Sequence, residues 1–328
     1  MHKFLIYFLL SGFFTLFSCS EQNIAISAEK AKLPFNEWKG ILYKEAQKKG
    51  FETELLDNVF DLIKQSKSHI TYDAKQFKKQ SFAEYYNNAV NNLRIKKAKY
   101  RINKYDNILT SIENKYLVPK EYIVALWAVE SDFGSGLGNY FVVNSLANLA
   151  YEGRREALFK KEFFVSLEIL SSENISPKNF KGSWAGAIGQ CQFLPSTYKN
   201  YAVDFNNDGK KDIWNDKEDV LASIANYLSA LKWDIKLPWG YEITANVTLK
   251  ELSNKQTYNL SSIIEKYGIK KLGKGNFTEY ELKKNVEILN YDKRFFITFK
   301  NFDVIKTWNN SSYFALTIGL LANKIEGT

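Results

Sequence analysis

Apolar residues recur every three or four positions over most of this chain, so the first half reads as a series of helices. Phe35, Trp38, Ile41, Leu42 and Ala46 follow the 3.6-residue period, and Leu55, Leu56, Val59, Phe60 and Ile63 repeat it. Arg94 to Ile108 keeps a helical spacing with few apolar positions. It reads as a basic, solvated helix, since Asp106 and Glu113 close it and no base-reading motif accompanies it. Val118 to Gly138 (VPKEYIVALWAVESDFGSGLG) is the most sharply written stretch. Pro119 suits a first helical position. Ile123, Leu126, Trp127 and Glu130 then share one face, and Gly134, Gly136 and Gly138 end the helix. Further helices are expected over Asn144–Ala150, Glu156–Leu170 and Val220–Leu231, and over Tyr313–Ile325 behind an Asn309-Asn310-Ser311 cap. The grammar changes after Trp233. Tyr241 to Leu249 (YEITANVTL) alternates as a strand does, and Phe295 to Phe299 (FFITF) is a second strand. The pattern predicts an α+β chain that is mostly α, with a small β-containing insert.

Composition changes this picture little. The chain has 328 residues, 45% hydrophobic and 25% charged, which suffices for one large or two modest cores. The net charge of +9 is modest for the length, and an anionic envelope polymer or a membrane surface suits it as well as nucleic acid does.

The first residues matter more. Lys3 precedes an apolar run from Phe4 to Phe17, too short to span a membrane comfortably and right for a secretory signal. It ends Leu16-Phe17-Ser18-Cys19, which resembles a bacterial lipobox with Cys19 as the lipid attachment site; ordinary cleavage near Ser18 is the other reading. Either way an exported protein is expected, with residues 1–18 as signal peptide and 19–32 as tether. The only other cysteine is Cys191, so no disulfide scaffold is expected. His2 and His69 are the only histidines, which argues against histidine-based nucleophilic or zinc chemistry.

Three stretches carry candidate chemistry. A carboxylate among Ile, Leu and Trp is desolvated and holds its proton, so Glu130 is a candidate general acid; alternatively it opens a polar last turn. Asp132 would point away from that face and reads as structural. Gly182 to Ser196 (GSWAGAIGQCQFLPS) is dominated by small residues, with Ser183 and Gln192 offering groups to a polar ligand such as a sugar; tight packing explains the small residues equally well. Asp204, Asn206, Asp208 and Asp212 with Gly209 match the start of an EF-hand-like loop, and Lys210 would offer its backbone carbonyl. The expected bidentate Glu is absent. The loop runs on to Asp219, expected also to cap the next helix. Stacked Asx-turns are the alternative. Arg154 and Arg155 meet either an anionic ligand or neighbouring carboxylates.

Taken in order, WAVESDFG, GSWAGAIGQCQFLPSTYKNYAVDFNNDGKKDIW, ANYL, PWGYE and NFDVIKTWNNS resemble the lytic murein transglycosylase B family over about residues 33–325. The resemblance implies a lysozyme-like catalytic core over 111–233 plus 305–328, an N-terminal helical region over 33–110 and a small β-rich insert over 234–304. It implies a periplasmic, monomeric enzyme anchored to the outer membrane through Cys19, acting on peptidoglycan glycan strands and not on nucleic acid. Glu130 matches the family's single catalytic acid/base. Ser183, Gln192, Tyr227 and Asn309 match its sugar-binding residues. The Asp204–Asp219 loop matches its calcium site, a structural ion with no cofactor in catalysis. Two departures stand out: Phe314 falls where the family has Tyr, and Cys191 where Gly or Thr is common. The implied reaction splits the bond between N-acetylmuramic acid and N-acetylglucosamine and leaves 1,6-anhydromuramoyl ends. Hydrolysis by a plain muramidase, or peptidoglycan binding without catalysis, are the alternatives.

Overall fold

The computed structural model describes residues 33–66, 80–245, 249, 256–273 and 275–327. The signal, Cys19, the tether and His69 lie outside these residues. The helical part opens with α1 (Phe35–Lys48), α2 (Thr53–Leu62) and α3 (Phe82–Ala89). Ser81 caps α3 in a reciprocal capping box with Glu84. The basic stretch is two helices rather than one, α4 (Asn92–Lys104) and α5 (Asp106–Tyr116), broken at Tyr105. Nor is it wholly solvated. Arg94 is mostly buried beside Asp132, and the Arg101 guanidinium lies 5.8 Å from the Trp127 ring.

Next comes α6 (Lys120–Ser131), with Pro119 as its N-cap rather than its first residue. Tyr122 to Ala128 are all buried. A helix apolar all round belongs in the middle of a fold, and α6 is surrounded. It contacts α4, α5, α10 (Lys217–Ala230) and α14 (Ser312–Glu326). Between α6 and α10 run β1 (Tyr140–Phe141), α7 (Val142–Glu152), α8 (Glu156–Ser172), β2 (Lys181–Gly182) and α9 (Pro195–Tyr201). The buried carboxylate of Glu162 accepts from the Ser196 N–H and hydroxyl, tying α8 to the start of α9.

The β part holds β3 (Gly240–Thr244), β4 (Thr257–Asn259), α11 (Leu260–Tyr267), β5 (Lys270–Lys271), α12 (Glu279–Leu282), β6 (Asn285–Tyr291) and β7 (Arg294–Thr298). The expected strand from Tyr241 ends at Thr244; residues 246–248 lie outside those described. The five strands form an antiparallel sheet in the order β4-β6-β7-β3-β5. Successive strand residues face opposite ways. Ile297 therefore joins a small apolar cluster with Ile243, Leu260, Ile263 and Ile288, while Phe296 joins the large core.

The chain returns through α13 (Lys300–Trp308), one helix that crosses the boundary expected at 304. Phe302, Val304 and Ile305 all pack into the large core, so the turn back lies nearer Phe299. Trp239 fastens the sheet to α14. Its ring is fully buried against Gly319, where an added Cβ would stand 2.4 Å from the indole, and its N–H donates to Asn323 at 3.2 Å.

Candidate active site

The end of α6 is wound tightly. Asp132, Phe133 and Gly134 all have positive φ, at 46°, 61° and 88°. Such backbone is uncommon for residues other than Gly, and clusters of it mark built sites. Ser131 holds the turn by accepting from Gly134 N–H at 3.0 Å. Gly134 is required for a second reason: an added Cβ would stand 2.4 Å from the Gln190 amide oxygen. That oxygen accepts from the Trp127 indole at 2.9 Å, while the Gln190 amide donates to the Trp214 carbonyl at 2.6 Å. Gln190 therefore locks the helix carrying Glu130 to the small-residue stretch.

Glu130 is 3% exposed, and its Oε1 has no hydrogen-bond partner among the described residues. Burial pushes its carboxyl well above the ordinary 4.5, opposed by a hydrogen bond from Trp308. Aromatic groups enclose it. Trp308 lies 5.1 Å from Phe193 and 4.7 Å from Tyr227, ring centre to ring centre. Tyr227 donates to Thr307 Oγ1 at 3.5 Å. Burial, with a smaller contribution from Glu130, pushes the Tyr227 hydroxyl up to about 12. Tyr85 on α3 is raised by burial and then by Glu130. Asn309 follows Trp308, is 5% exposed, and leaves Oδ1 without a partner. An unpaired buried polar atom costs about 1–3 kcal/mol. Glu130 Oε1 and Asn309 Oδ1 each carry that cost.

Ser183 and Gln192 enter from the stretch between β2 and α9. Ser183 Oγ accepts from the N–H groups of Ala185 (3.3 Å) and Ala187 (3.0 Å), which leaves its own hydrogen to donate. Gln192 takes a left-handed φ of 51°. Its amide nitrogen donates to the carbonyls of Gly189 (2.9 Å) and Leu137 (3.3 Å), so of the group expected to meet a sugar the oxygen is left. Cys191 between them is a buried thiol, raised by burial and then by the charge of Glu130. Phe314 is a buried core residue on α14. Asp132 pairs with Lys97 at 2.9 Å and with Arg94 at 3.8 Å.

The Asp-rich loop folds as a series of Asx turns. Asp204 accepts from the N–H groups of Asp208 (3.1 Å) and Gly209 (2.8 Å), Asn206 from Asp208 (3.0 Å), and Asp208 from Lys210 (2.9 Å). Asp219 is buried and accepts from Phe205 (2.7 Å) and Asp212 (2.8 Å). It does not cap α10. That role falls to Asp216, which accepts from Glu218 and Asp219 N–H, because the helix begins three residues earlier than expected. No three Asp, Glu, His or Cys side chains converge as a metal-ligand group among the described residues. A carboxylate has about four acceptor positions, so one or two N–H donors leave room for a hard cation. The all-oxygen donor set, with an amide and a main-chain carbonyl making up the ligands, fits calcium in kind.

The family profile described as a transglycosylase SLT domain matches residues 34–323. The chain belongs to the SLT transglycosylase family. It is 32% identical over 232 residues to the membrane-bound lytic murein transglycosylase B of Escherichia coli strain K12, covering 68% of this chain and 61% of that protein. The match thus spans less than two thirds of that relative's length. Among solved structures, SltB3 from Pseudomonas aeruginosa in complex with NAG-anhNAM-pentapeptide superposes with a TM-score of 0.83 at 33% identity, over 89% of this chain and 80% of that one. The Escherichia coli lytic transglycosylase Slt35 in complex with calcium gives 0.75 at 25% identity, over 91% and 94%. The SLT domain described here is accordingly lysozyme-like and mostly helical.

Of the residues picked out by sequence, the fold brings Tyr227 near Glu130, and Asn309 adjoins Trp308 in the chain. Sequence reading missed Tyr85, Trp308 and Gln190. Tyr85 follows the Ser81–Glu84 capping box directly, a local signal that marks its helix. Trp308 reads as one more apolar position, and only its hydrogen bond to Glu130 gives it weight.

Proposed function

We propose that this chain is a lytic transglycosylase that cleaves the bond between N-acetylmuramic acid and N-acetylglucosamine in peptidoglycan, with Glu130 as its one acid/base. The observation that carries this is the Glu130 carboxyl itself: buried, proton-holding, with Oε1 unpartnered. Protonated, the Glu130 carboxyl donates to the glycosidic oxygen as the bond from that oxygen to the muramoyl C1 breaks. The carboxylate then takes the proton of the muramoyl C6 hydroxyl as O6 bonds to C1. One bond breaks and one forms, the proton is returned, and no water is consumed. Intramolecular attack has a large effective-concentration advantage over free water. A two-carboxylate hydrolase needs a second acid group flanking the bond, and the nearest in sequence, Asp132, is spent on Lys97 and Arg94.

Trp308 can only donate. Its bond to Glu130 favours the carboxylate, the form that takes the proton of the C6 hydroxyl. Ser183 through its hydroxyl, Gln192 through its oxygen, and Tyr227 and Asn309 hold the sugars. The SltB3 complex holds NAG-anhNAM-pentapeptide, and an anhydro end is what this reaction forms. Digesting sacculi in heavy-oxygen water tests the reading. Unlabelled anhydromuramoyl ends are expected, and labelled reducing ends would make the protein a muramidase.

The finer assignments belong to the same proposal. The Asp204–Asp219 loop holds a structural calcium through Asp204, Asn206, Asp208, the Lys210 carbonyl and Asp219, as the oxygen donor set supports. The small apolar cluster of the β part supports its treatment as a separate unit. Cys19 carries a lipid that anchors a monomer at the periplasmic face of the outer membrane. No helix among the described residues is long and apolar enough to cross a membrane. Fractionating cells that make wild type and Cys19→Ala checks this: equal solubility of both would remove the anchor.

A further inference from the structure

The hairpin of β6 and β7 turns through two residues, Asp292 and Lys293, with φ of 51° and 66°. Tyr291 pairs with Arg294 across the turn. Two successive left-handed residues match the twist of the strands, and Asn-Gly or Asp-Gly is the sequence that takes this turn without strain. Here Lys293 stands where glycine is favoured. Strained backbone of this kind persists where its surroundings hold it, and it gathers at built sites.

The turn is held against α3. The Asp292 carboxylate accepts from the Ala83 N–H at 2.7 Å, in the first turn of that helix. Ser81 already takes the Glu84 N–H, so Asp292 satisfies a second free donor of the helix start from 209 residues away. The guanidinium of Arg294 lies 5.4 Å from the Phe82 ring centre and 5.5 Å from that of Tyr86, both on α3. Glu242 on β3 fixes that guanidinium through two hydrogen bonds of 2.8 Å. Phe82 is fully buried, its ring centre 6.0 Å from that of Tyr291 and 5.7 Å from that of Phe296. A helix of eight residues is too short to hold itself in water, so α3 takes its place from what it packs on.

What α3 carries is Tyr85. Its ring lies 6.0 Å from that of Tyr313 on α14, which lies 4.9 Å from that of Tyr291 on the hairpin. Burial, and next the charge of Glu130, push the Tyr85 hydroxyl up, so the two side chains are near each other. We infer that the β6–β7 hairpin is a positioning device: Asp292 and Arg294 seat α3 and thereby set Tyr85 beside Glu130. The inference rests on the reading of Glu130 as the acid/base and gives the β part a task in that reaction.

The Asp292→Gly/Arg294→Lys double variant tests this. Gly suits the left-handed turn and Lys keeps a charge for Glu242, so the hairpin itself stays paired. Amide exchange is expected to quicken about tenfold in α3 and to keep its wild-type rates in β6 and β7. On murein strands kcat/KM should fall about tenfold, as the loss of a cap and of a stacked guanidinium implies. In the Tyr85→Phe background the same double substitution should cost less than about twofold, because the hairpin acts through that side chain. Asp292→Asn keeps the acceptor and Lys293→Gly relieves the turn alone, so both should retain the wild-type kcat/KM. An equal loss with and without Tyr85, or no loss at all, overturns the positioning role, and so does a Tyr85→Phe variant as active as wild type. The same cycle, read by calorimetry as binding of an N-acetylglucosamine tetramer to Glu130→Gln protein, needs no turnover. Coupling in that binding, with no cleavage of murein by the wild type, would keep the positioning role and overturn the catalytic reading instead.

Discussion

Glu130 sits where a negative charge is costly, and that cost has a sign that can be measured. Below the ordinary carboxyl value of 4.5 both folded and unfolded chains hold the proton, and burial costs nothing extra. Above it the unfolded chain releases the proton while the folded one keeps it. Stability therefore falls as pH rises from 4.5 to the raised folded value and is level beyond. Glu130→Gln removes this dependence. It is expected to abolish turnover on sacculi, since an amide cannot give and retake a proton. It should also unfold roughly 2 °C or more above wild type at pH 7, as each pKa unit is worth about 1.4 kcal/mol, with no difference near pH 4. Substantial turnover, or lower stability at neutral pH, would move the acid elsewhere. Trp308 acts on the same group in the opposite direction. Its N–H favours the carboxylate, so Trp308→Phe should raise the Glu130 value further. The alkaline limb of the kcat/KM profile should then move to higher pH, since the lost hydrogen bond favoured the charged form. A limb that stays in place, with only a lower rate, would leave Trp308 a packing role.

At the scale of elements, the legible features were those written within a few residues. The Glu130 face of α6, the small-residue stretch, the Asx-rich loop and the cap before α14 are local devices, and each is where its pattern put it. What the sequence did not disclose came from afar. Tyr85 precedes Glu130 by 45 positions and Trp308 follows it by 178, so no periodicity joins them. Trp127 looked apolar, yet its indole N–H is committed to Gln190, a residue that reads as an ordinary loop amide. Asp219 was misread as a cap because a buried Asp in a first helical turn has the same local sequence as one just before it. The loop it closes supplies a prediction. Calcium bound only by the folded chain should raise the unfolding temperature, by about 2.7 kcal/mol of stability at a hundredfold excess over Kd. Asp208→Ala should remove that response and leave activity. A chelated sample indifferent to added calcium would refute the ion. Helix packing supplies another. Gly319→Ala drives a methyl into the Trp239 indole and should cost about 1–3 kcal/mol. Gly40→Ala on α1, where nothing lies within 4 Å of the added carbon, should gain about 0.5–1 kcal/mol. Thermal unfolding of the two variants separates steric loss from glycine entropy.

For the whole molecule, the large core runs from α1 to α14 and includes one face of the sheet. The helical scaffold and the β part therefore meet through Trp239 and Phe296 rather than hang on a linker. The architecture was readable as mostly helical with a β insert; the point of return was not, because α13 reads equally well as insert or core until Phe302 and Ile305 are seen to bury. The sheet has a further property in its outermost members. Among the described residues its edges are β4, three residues long, and β5, two residues long and both of them lysine. Short, charged borders offer few free backbone groups in register. An extended segment of another chain finds no template there, so self-association by strand exchange and capture of partner peptides by strand addition are both disfavoured. A partner of this protein would then meet side chains rather than an open strand edge.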